Sequence, residues 1–136
     1  MDGGTKFNLV VVDSFGSDAV PTHLLTRQAI QLYLDRLAPA GLLLVNVSNK
    51  YLNLRSVLAA EASSLGLNAL AKVDASVSAD QAATGKFPSD WLVLAPAGES
   101  LDRLAATGGW VYPMLASGQM VWTDDYSDVL VVTRSR

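Results

Sequence analysis

The feature that most constrains this fold is a run of aliphatic and β-branched residues that ends at a carboxylate. Phe7 to Val12 reads Phe-Asn-Leu-Val-Val-Val, and Asp13 follows directly. A nearly continuous apolar run of this length is typical of a strand buried on both faces in a parallel sheet. Leu42 to Val47 repeats the pattern. We therefore predict an α/β fold with a mostly parallel sheet.

Helical patterns separate these strands. Apolar residues recur at helical spacing from Leu25 to Leu37, with Thr22 as a candidate N-cap and Pro39 ending the helix. A second stripe has Asn53 before it and Gly66 after it, which suit the N-cap and the C′ position of a helix. Two strand–loop–helix units in tandem predict right-handed βαβ crossovers.

The rest of the chain is less regular. Its predicted elements are strands at Leu67 to Val73, Trp91 to Ala95 and Val129 to Thr133, a mobile connection from Asp74 to Ser89, and a short helix from Ser100 to Ala106. The sequence shows no internal repeat, charge block or interdomain linker. We therefore predict one domain over residues 1–136.

Composition limits the chemistry that this chain can perform. Cysteine is absent and His23 is the only histidine, so disulfides, Cys-ligated zinc, thiol nucleophiles and multi-histidine metal sites are excluded. The net charge is -3 and the basic residues are dispersed, which argues against nucleic acid and suits a cationic small molecule. Carboxylates, hydroxyls and backbone groups are left to form a site.

Hydropathy raises the question of a membrane. The mean hydropathy of +0.26 is high, but the longest aliphatic runs are strand-sized and far shorter than the roughly 20 residues of a membrane span. The start of the chain has neither a basic segment nor an apolar one of the secretory type. We expect no membrane contact by this chain and a cytoplasmic location.

The first candidate site follows from the predicted topology. Ligands bind at the carboxyl ends of the strands in open α/β sheets, because the loops converge there. This rule selects Asp13, followed by Ser14 and Asp18, and the second strand brings Ser48 and Asn49 to the same edge. The alternative is that Asp13 caps the next turn and that Asp18 forms a turn.

A second acidic cluster lies near the end of the chain. Thr123 to Asp128 holds three carboxylates beside the aromatic residues Trp122 and Tyr126. This composition suits an ammonium group, which both charge and aromatic faces attract. A solvated turn accounts for the same residues.

A hydrolase is the weakest of the alternatives. Ser14, Asp18 and His23 supply the three residue types of a catalytic triad, but the Gly-x-Ser-x-Gly elbow is missing. The glycine patterns that bind phosphates and nucleosides are also missing from the sequence.

The segment from Phe7 to Thr26 resembles the part of spermidine synthase-like proteins that bears the catalytic loop, particularly those fused to a membrane transporter domain. Four later segments agree in order: Leu37 to Gly41, Val47 to Tyr51, Ser89 to Trp91 and Trp122 to Ser127. The resemblance spans nearly the whole chain. Its first and last segments are fairly specific, whereas the Pro-x-Gly turn is common to many methyltransferase-like folds.

The resemblance implies a seven-stranded, Rossmann-like methyltransferase sheet in which this chain supplies strands four to seven, the last two forming an antiparallel pair. The nucleoside-binding N-terminal half has no counterpart here. In that family the residue matching Asp13 takes a proton from the attacking amine. Asp18 is the candidate second acid, although two extra residues separate it from Asp13 compared with the soluble enzymes.

The resemblance also suggests the remaining contacts. Asp125 and Tyr126 are candidate substrate-binding residues, and Ser14 and Pro21 are weaker candidates on the cofactor side. An intact family member would use decarboxylated S-adenosylmethionine or S-adenosylmethionine. We expect this chain to bind no cofactor alone, to be inactive by itself and to retain the acceptor-amine side of the pocket, which suits a polyamine.

A non-catalytic binding module is the main alternative, and a methyltransferase fragment is a weaker one. In the family sheet the strand from Leu9 to Val12 has a neighbour on each side. One of these neighbours belongs to the missing N-terminal half, so the strand is left as an apolar edge. We expect a homodimer, or a complex with a separate N-terminal half, to form through this strand.

Overall fold

The computed structural model describes residues 4–14, 21–96, 98–115, 118–130 and 132–133. These residues form an α/β fold in which one mixed sheet is packed between helices. The strands are β1 (Phe7–Val12), β2 (Leu37–Asn46), β3 (Asn68–Asp74) and β4 (Ser89–Ala95). The α-helices are α1 (Arg27–Leu34), α2 (Leu54–Ser64), α3 (Ala79–Ala83) and α4 (Glu99–Ala106), and a short 3-10 helix covers Thr22–Leu24.

The sheet has the strand order β1-β2-β4-β3. β1 and β2 pair in parallel, whereas β4 lies between β2 and β3 and runs antiparallel to both. Three of the four strands in the described sheet therefore run in the same direction and the last two are antiparallel, as predicted, but β4 lies between β2 and β3, so that β1 and β2 are the one directly paired parallel couple of this sheet. The connection over residues 75–88, which contains α3, lets β4 fold back antiparallel to β3, and an antiparallel pair needs no helical crossover of the βαβ type.

A close backbone approach joins β1 to the start of β2. A Cβ atom on Gly41 would lie 2.9 Å from the carbonyl oxygen of Phe7 and 3.0 Å from that of Ala38. The strand register shifts at this point, between Phe7 and Leu9. Gly41 thus permits the irregular start of this pairing, and Pro39 lies inside β2 instead of ending a helix.

Helix α1 begins later than the sequence predicts. Its N-cap is Thr26, whose hydroxyl accepts a hydrogen bond of 3.2 Å from the backbone N–H of Ala29. Thr22 instead opens the preceding 3-10 turn, where its carbonyl accepts the N–H of Leu25. Both predicted cap residues of α2 occupy the predicted positions. Asn53 is the N-cap residue, although its side chain makes no cap hydrogen bond, and Gly66 follows the helix with a φ of 68°.

Two later predictions need correction. The connection from Asp74 to Ser89 contains α3, which a reciprocal capping box between Ser78 and Gln81 stabilises. The described part of Val129 to Thr133 forms no strand, and Thr133 makes only an isolated bridge with Leu52. Val132 is 3% exposed in the main core, so its apolar side chain serves packing beside α2 rather than pairing in the sheet.

The two faces of the sheet are covered to different extents. On one face α1, α2 and the segment around Trp122 enclose the larger core. On the other face α4 and Trp110 cover β3 and β4 in a smaller cluster. Leu9 and Val11 of β1 lie on this second face beside Leu42 and Leu44 of β2 and are 52% and 51% exposed. None of the helices in the described ranges is long and apolar enough to cross a membrane.

Candidate functional site

Polar side chains lie where β1 and β2 end, and the side chain that contacts Asp13 is Asn46, a residue that the sequence analysis did not single out. The Oδ1 atom of Asp13 accepts a hydrogen bond of 2.8 Å from the amide Nδ2 of Asn46. The Oδ1 atom of Asn46 accepts the backbone N–H of Ser48 at 2.9 Å. Because both ends of the Asn46 amide are engaged, its Nδ2 atom is directed at the exposed Asp13 carboxylate.

A cleft of about 680 Å³ adjoins this pair at the same edge of the sheet. It is formed by the end of β2 and the loop after it, the first turn of α2, the end of β3 and the start of β4. Its lining residues are Asn46, Ser48, Asn49, Lys50, Arg55, Val73, Ala75, Phe87, Pro88, Ser89 and Asp90. A cavity of about 300 Å³ at the opposite edge, beside Gly41 and Pro96, is smaller.

An ion pair forms one wall of the cleft. The Nε atom of Arg55 lies 3.1 Å from both carboxylate oxygens of Asp90, and its Nη2 atom also contacts Asp90 Oδ2. Asp90 is 6% exposed, and its backbone N–H donates to the hydroxyl of Ser48 at 2.8 Å. No local pattern in the sequence predicts this pair, because 35 positions separate its members.

The open side of the cleft carries a cation and an aromatic ring. The ammonium of Lys50 lies 5.4 Å from the ring centroid of Tyr51. Phe87 is 78% exposed at the rim. Next to it, Lys86 forms an ion pair of 2.7 Å with Asp74.

The predicted substrate-binding residues Asp125 and Tyr126 lie in a turn. Thr123 and Tyr126 exchange backbone hydrogen bonds of 2.8 and 3.1 Å across it, and both predicted residues are exposed. The turn is attached through its other acid: Asp124 Oδ1 accepts the hydroxyl hydrogen of Thr26 at 2.6 Å. Since Thr26 caps the helix that follows β1, the turn lies toward the edge that bears Asp13.

The remaining candidates are less defined. Ser14 is exposed after β1, and Pro21 precedes the 3-10 helix. Asp18 lies outside the described residues. Ser14 and His23 form no hydrogen bond with each other in the part of the chain that is described, so the geometry there gives the hydrolase alternative no support.

Glu61, a buried acid that no sequence pattern indicated, holds the segment around Trp122 in place. Glu61 of α2 is fully buried, and its Oε1 atom accepts the backbone N–H of Trp122. Its Oε2 atom has no partner within the described ranges. Burial raises the pKa of Glu61 to about 7, although the Trp122 hydrogen bond and the charge of Arg27 oppose the shift. The adjoining Trp122 carbonyl accepts the N–H of Arg27 at 2.8 Å.

The hydrogen-bond acceptors of the cleft do not suit the nucleoside cofactor that the resemblance implies. A ribose needs a carboxylate that can accept its hydroxyls. Asp90, the carboxylate in the cleft wall, is buried and occupied by Arg55. Residues 4–14, 21–96, 98–115, 118–130 and 132–133 also hold no group of three or more His, Cys, Asp or Glu side chains that could bind a metal ion.

Comparison with known proteins gives no further assignment. No family model matches this chain, and no curated protein matches it.

Proposed function

We propose that the chain corresponds to the C-terminal half of a spermidine synthase-like fold and binds a small amine at the carboxyl edge of its sheet. The observation that carries this proposal is the hydrogen bonding and exposure of the Asp13 carboxylate. Asn46 donates a hydrogen bond to one of its carboxylate oxygens, while Oδ2 has no partner among the described residues and the side chain is exposed. The carboxylate is therefore oriented and available to an ammonium group.

Asp13 has two roles in this proposal. It attracts the ammonium form of the ligand by charge and by a charge-assisted hydrogen bond. It then accepts a proton from that nitrogen, which frees the lone pair that a nucleophilic amine requires. The group that the amine attacks is supplied by another half of the fold, so the isolated chain binds without turnover.

The fold supports the same proposal. The last two strands, β3 and β4, form the antiparallel pair that the resemblance implies. The helix α1 follows β1 and returns to a parallel β2, which keeps Asp13 and Asn46 at one edge. The Thr26–Asp124 bond brings the acidic turn toward the same edge, and this favours a cationic ligand.

Calorimetry with putrescine tests the role of Asp13. Asp13→Asn should weaken binding about tenfold or more, because a hydrogen bond to a charged group contributes about 1.5–3 kcal/mol. Asp35→Asn is the matched control, since it removes one exposed carboxylate at the far end of α1. Equal binding by Asp13→Asn and the wild type would overturn the proposal.

Binding of the nucleoside tests the half-domain interpretation separately. The isolated chain should show no calorimetric binding of S-adenosyl nucleosides at micromolar concentration, because the cleft offers no free carboxylate for the ribose. Tight binding would contradict the interpretation.

A second candidate function is a binding module that associates through β1, and a specific observation favours it. β1 is an edge strand whose Phe7, Leu9 and Val11 are 48%, 52% and 51% exposed. An open edge with an apolar face invites pairing. Antiparallel pairing with a second copy would satisfy the edge, whereas a separate strand–helix segment would cover the bare face as well.

Sedimentation separates this candidate from the first. The isolated chain should associate at micromolar concentration, and Val11→Lys should abolish the association. Leu32→Lys is the control, because Leu32 is 65% exposed on α1. A wild-type chain that stays monomeric, or an equal effect of both variants, would count against self-association through β1.

A further inference from the structure

The cleft beside Asp13 carries the charge opposite to that of Asp13. Two cationic side chains, Lys50 and Arg55, and one carboxylate, Asp90, line it. Because Asp90 is paired with Arg55, Lys50 adds a positive charge with no carboxylate partner among the described residues. Asn46 lies between the negative charge of Asp13 and the positive charge of the cleft, because it lines the cleft and its amide donates to Asp13.

Arg55 keeps part of its hydrogen-bonding capacity for a ligand. Its Nε and Nη2 atoms serve Asp90, whereas Nη1 makes no hydrogen bond with any described residue. The side chain is 32% exposed. A guanidinium held from one side by a buried carboxylate is pre-oriented, and its remaining N–H groups suit a second carboxylate.

A polyamine does not match this arrangement. Both of its ends are cationic, so the end that leaves Asp13 and enters the cleft meets Lys50 and Arg55. Like charges at close range oppose binding. A carboxylate at that end would instead be attracted by both side chains.

We propose that the ligand of this edge is an amino acid-like zwitterion, with its ammonium at Asp13 and its carboxylate at Lys50 and Arg55. This inference rests on the proposed amine site at Asp13 and changes its substrate class from a polyamine to an amine that also bears a carboxylate. The carbon chain of the ligand lies along Asn46 and toward the apolar lining of Val73 and Phe87.

A matched pair of probes tests the inference. Putrescine and γ-aminobutyrate contain the same number of carbon atoms and differ in one end group, ammonium or carboxylate. Calorimetry should show that γ-aminobutyrate binds about tenfold more tightly than putrescine, as expected when an attractive charged contact replaces a repulsive one. Tighter binding of putrescine would overturn the zwitterion proposal.

Substitution of Lys50 identifies the end that makes the difference. Lys50→Gln should weaken γ-aminobutyrate about fivefold or more and leave putrescine unchanged or slightly tighter. Lys6→Gln is the control, because it removes one lysine at the opposite end of β1. An equal effect of Lys50→Gln on both probes, or none on either, would contradict the proposal.

The outcomes also distinguish failure of the zwitterion assignment from failure of the amine site at Asp13. If Asp13→Asn weakens putrescine and Lys50→Gln has no effect on γ-aminobutyrate, the amine site stands and the zwitterion assignment fails. If neither probe depends on Asp13, the proposed function fails, and the zwitterion assignment fails with it.

Discussion

The two faces of this sheet differ in how completely they are covered. The face under α1 and α2 is closed, with Leu43, Leu58 and Leu92 each 0% exposed. The opposite face is closed over β3 and β4 by α4 and is open over β1, where Leu9 is about half exposed. Both faces are built from the same types of side chain, so hydrophobicity alone does not show which face supplies the stability of the chain.

The difference shows how one apolar strand can serve two purposes. Val10 and Val12 point into the main core, whereas Leu9 and Val11 alternate with them on the open face. The first pair stabilises the fold, and the second is the part of β1 through which we propose association. The polar edge with Asp13 lies where this strand ends, next to both.

The largest expected difference comes from matched truncations on the two faces. Leu58→Ala should lower the free energy of unfolding by about 2–5 kcal/mol, because it opens a cavity in the closed core. Leu9→Ala should cost less than about 1 kcal/mol, because the side chain is half exposed. Chemical denaturation of both variants measures the contrast, and equal losses would contradict the distinction between the faces.

The buried acid of the closed face should make stability depend on pH. The pKa of Glu61 is raised from 4.5 to about 7 in the folded state, so the folded chain binds more protons than the unfolded chain between these values. Stability from this group is full below about pH 4.5 and falls by about 3 kcal/mol as the pH rises through 7.

Comparison with Glu61→Gln isolates this contribution from that of the other carboxylates. The neutral amide keeps an acceptor for the N–H of Trp122 and cannot ionise, so the variant should gain stability relative to the wild type as the pH rises from about 5 to about 8. Denaturation curves at several pH values measure the difference. A difference that does not change with pH would show that Glu61 ionises freely in the fold.

A smaller effect is expected at the margin of the closed face. Thr26→Val removes both the N-cap bond to Ala29 and the hydroxyl bond to Asp124. The loss of a cap costs about 1 kcal/mol, and the acidic turn loses its attachment to α1. Hydrogen exchange should therefore accelerate at the turn amides of Thr123 and Tyr126, and unchanged exchange there would show that the turn is held by other contacts.

The sequence predicted the parts of this fold that depend on local patterns. The strand that ends just before Asp13, the strand that ends at Asn46 and the helix that ends before Gly66 follow from hydrophobic runs and glycine geometry. The meeting of Asp13 and the end of β2 follows from the rule for parallel strands.

What the sequence did not predict depends on contacts between distant positions. The pairing of Arg55 with Asp90 and of Glu61 with Trp122 arises only when α2 packs on the sheet. The position of β4 between β2 and β3 is likewise a property of the whole sheet. Val129 to Thr133 has the composition of a strand, but Val132 is buried beside α2, and composition does not distinguish these two environments.

The most direct test of the central claim is to locate the bound ligand by nuclear magnetic resonance. Titration of the labelled chain with γ-aminobutyrate should shift the backbone amides of Asp13, Asn46 and Ser48 together with those of Lys50 and Arg55. Asp13→Asn should raise the ligand concentration at the midpoint of these shifts about tenfold or more. Shifts confined to the acidic turn at Asp124 to Tyr126, or a midpoint that is unchanged in Asp13→Asn, would contradict a ligand site at the carboxyl edge of the sheet.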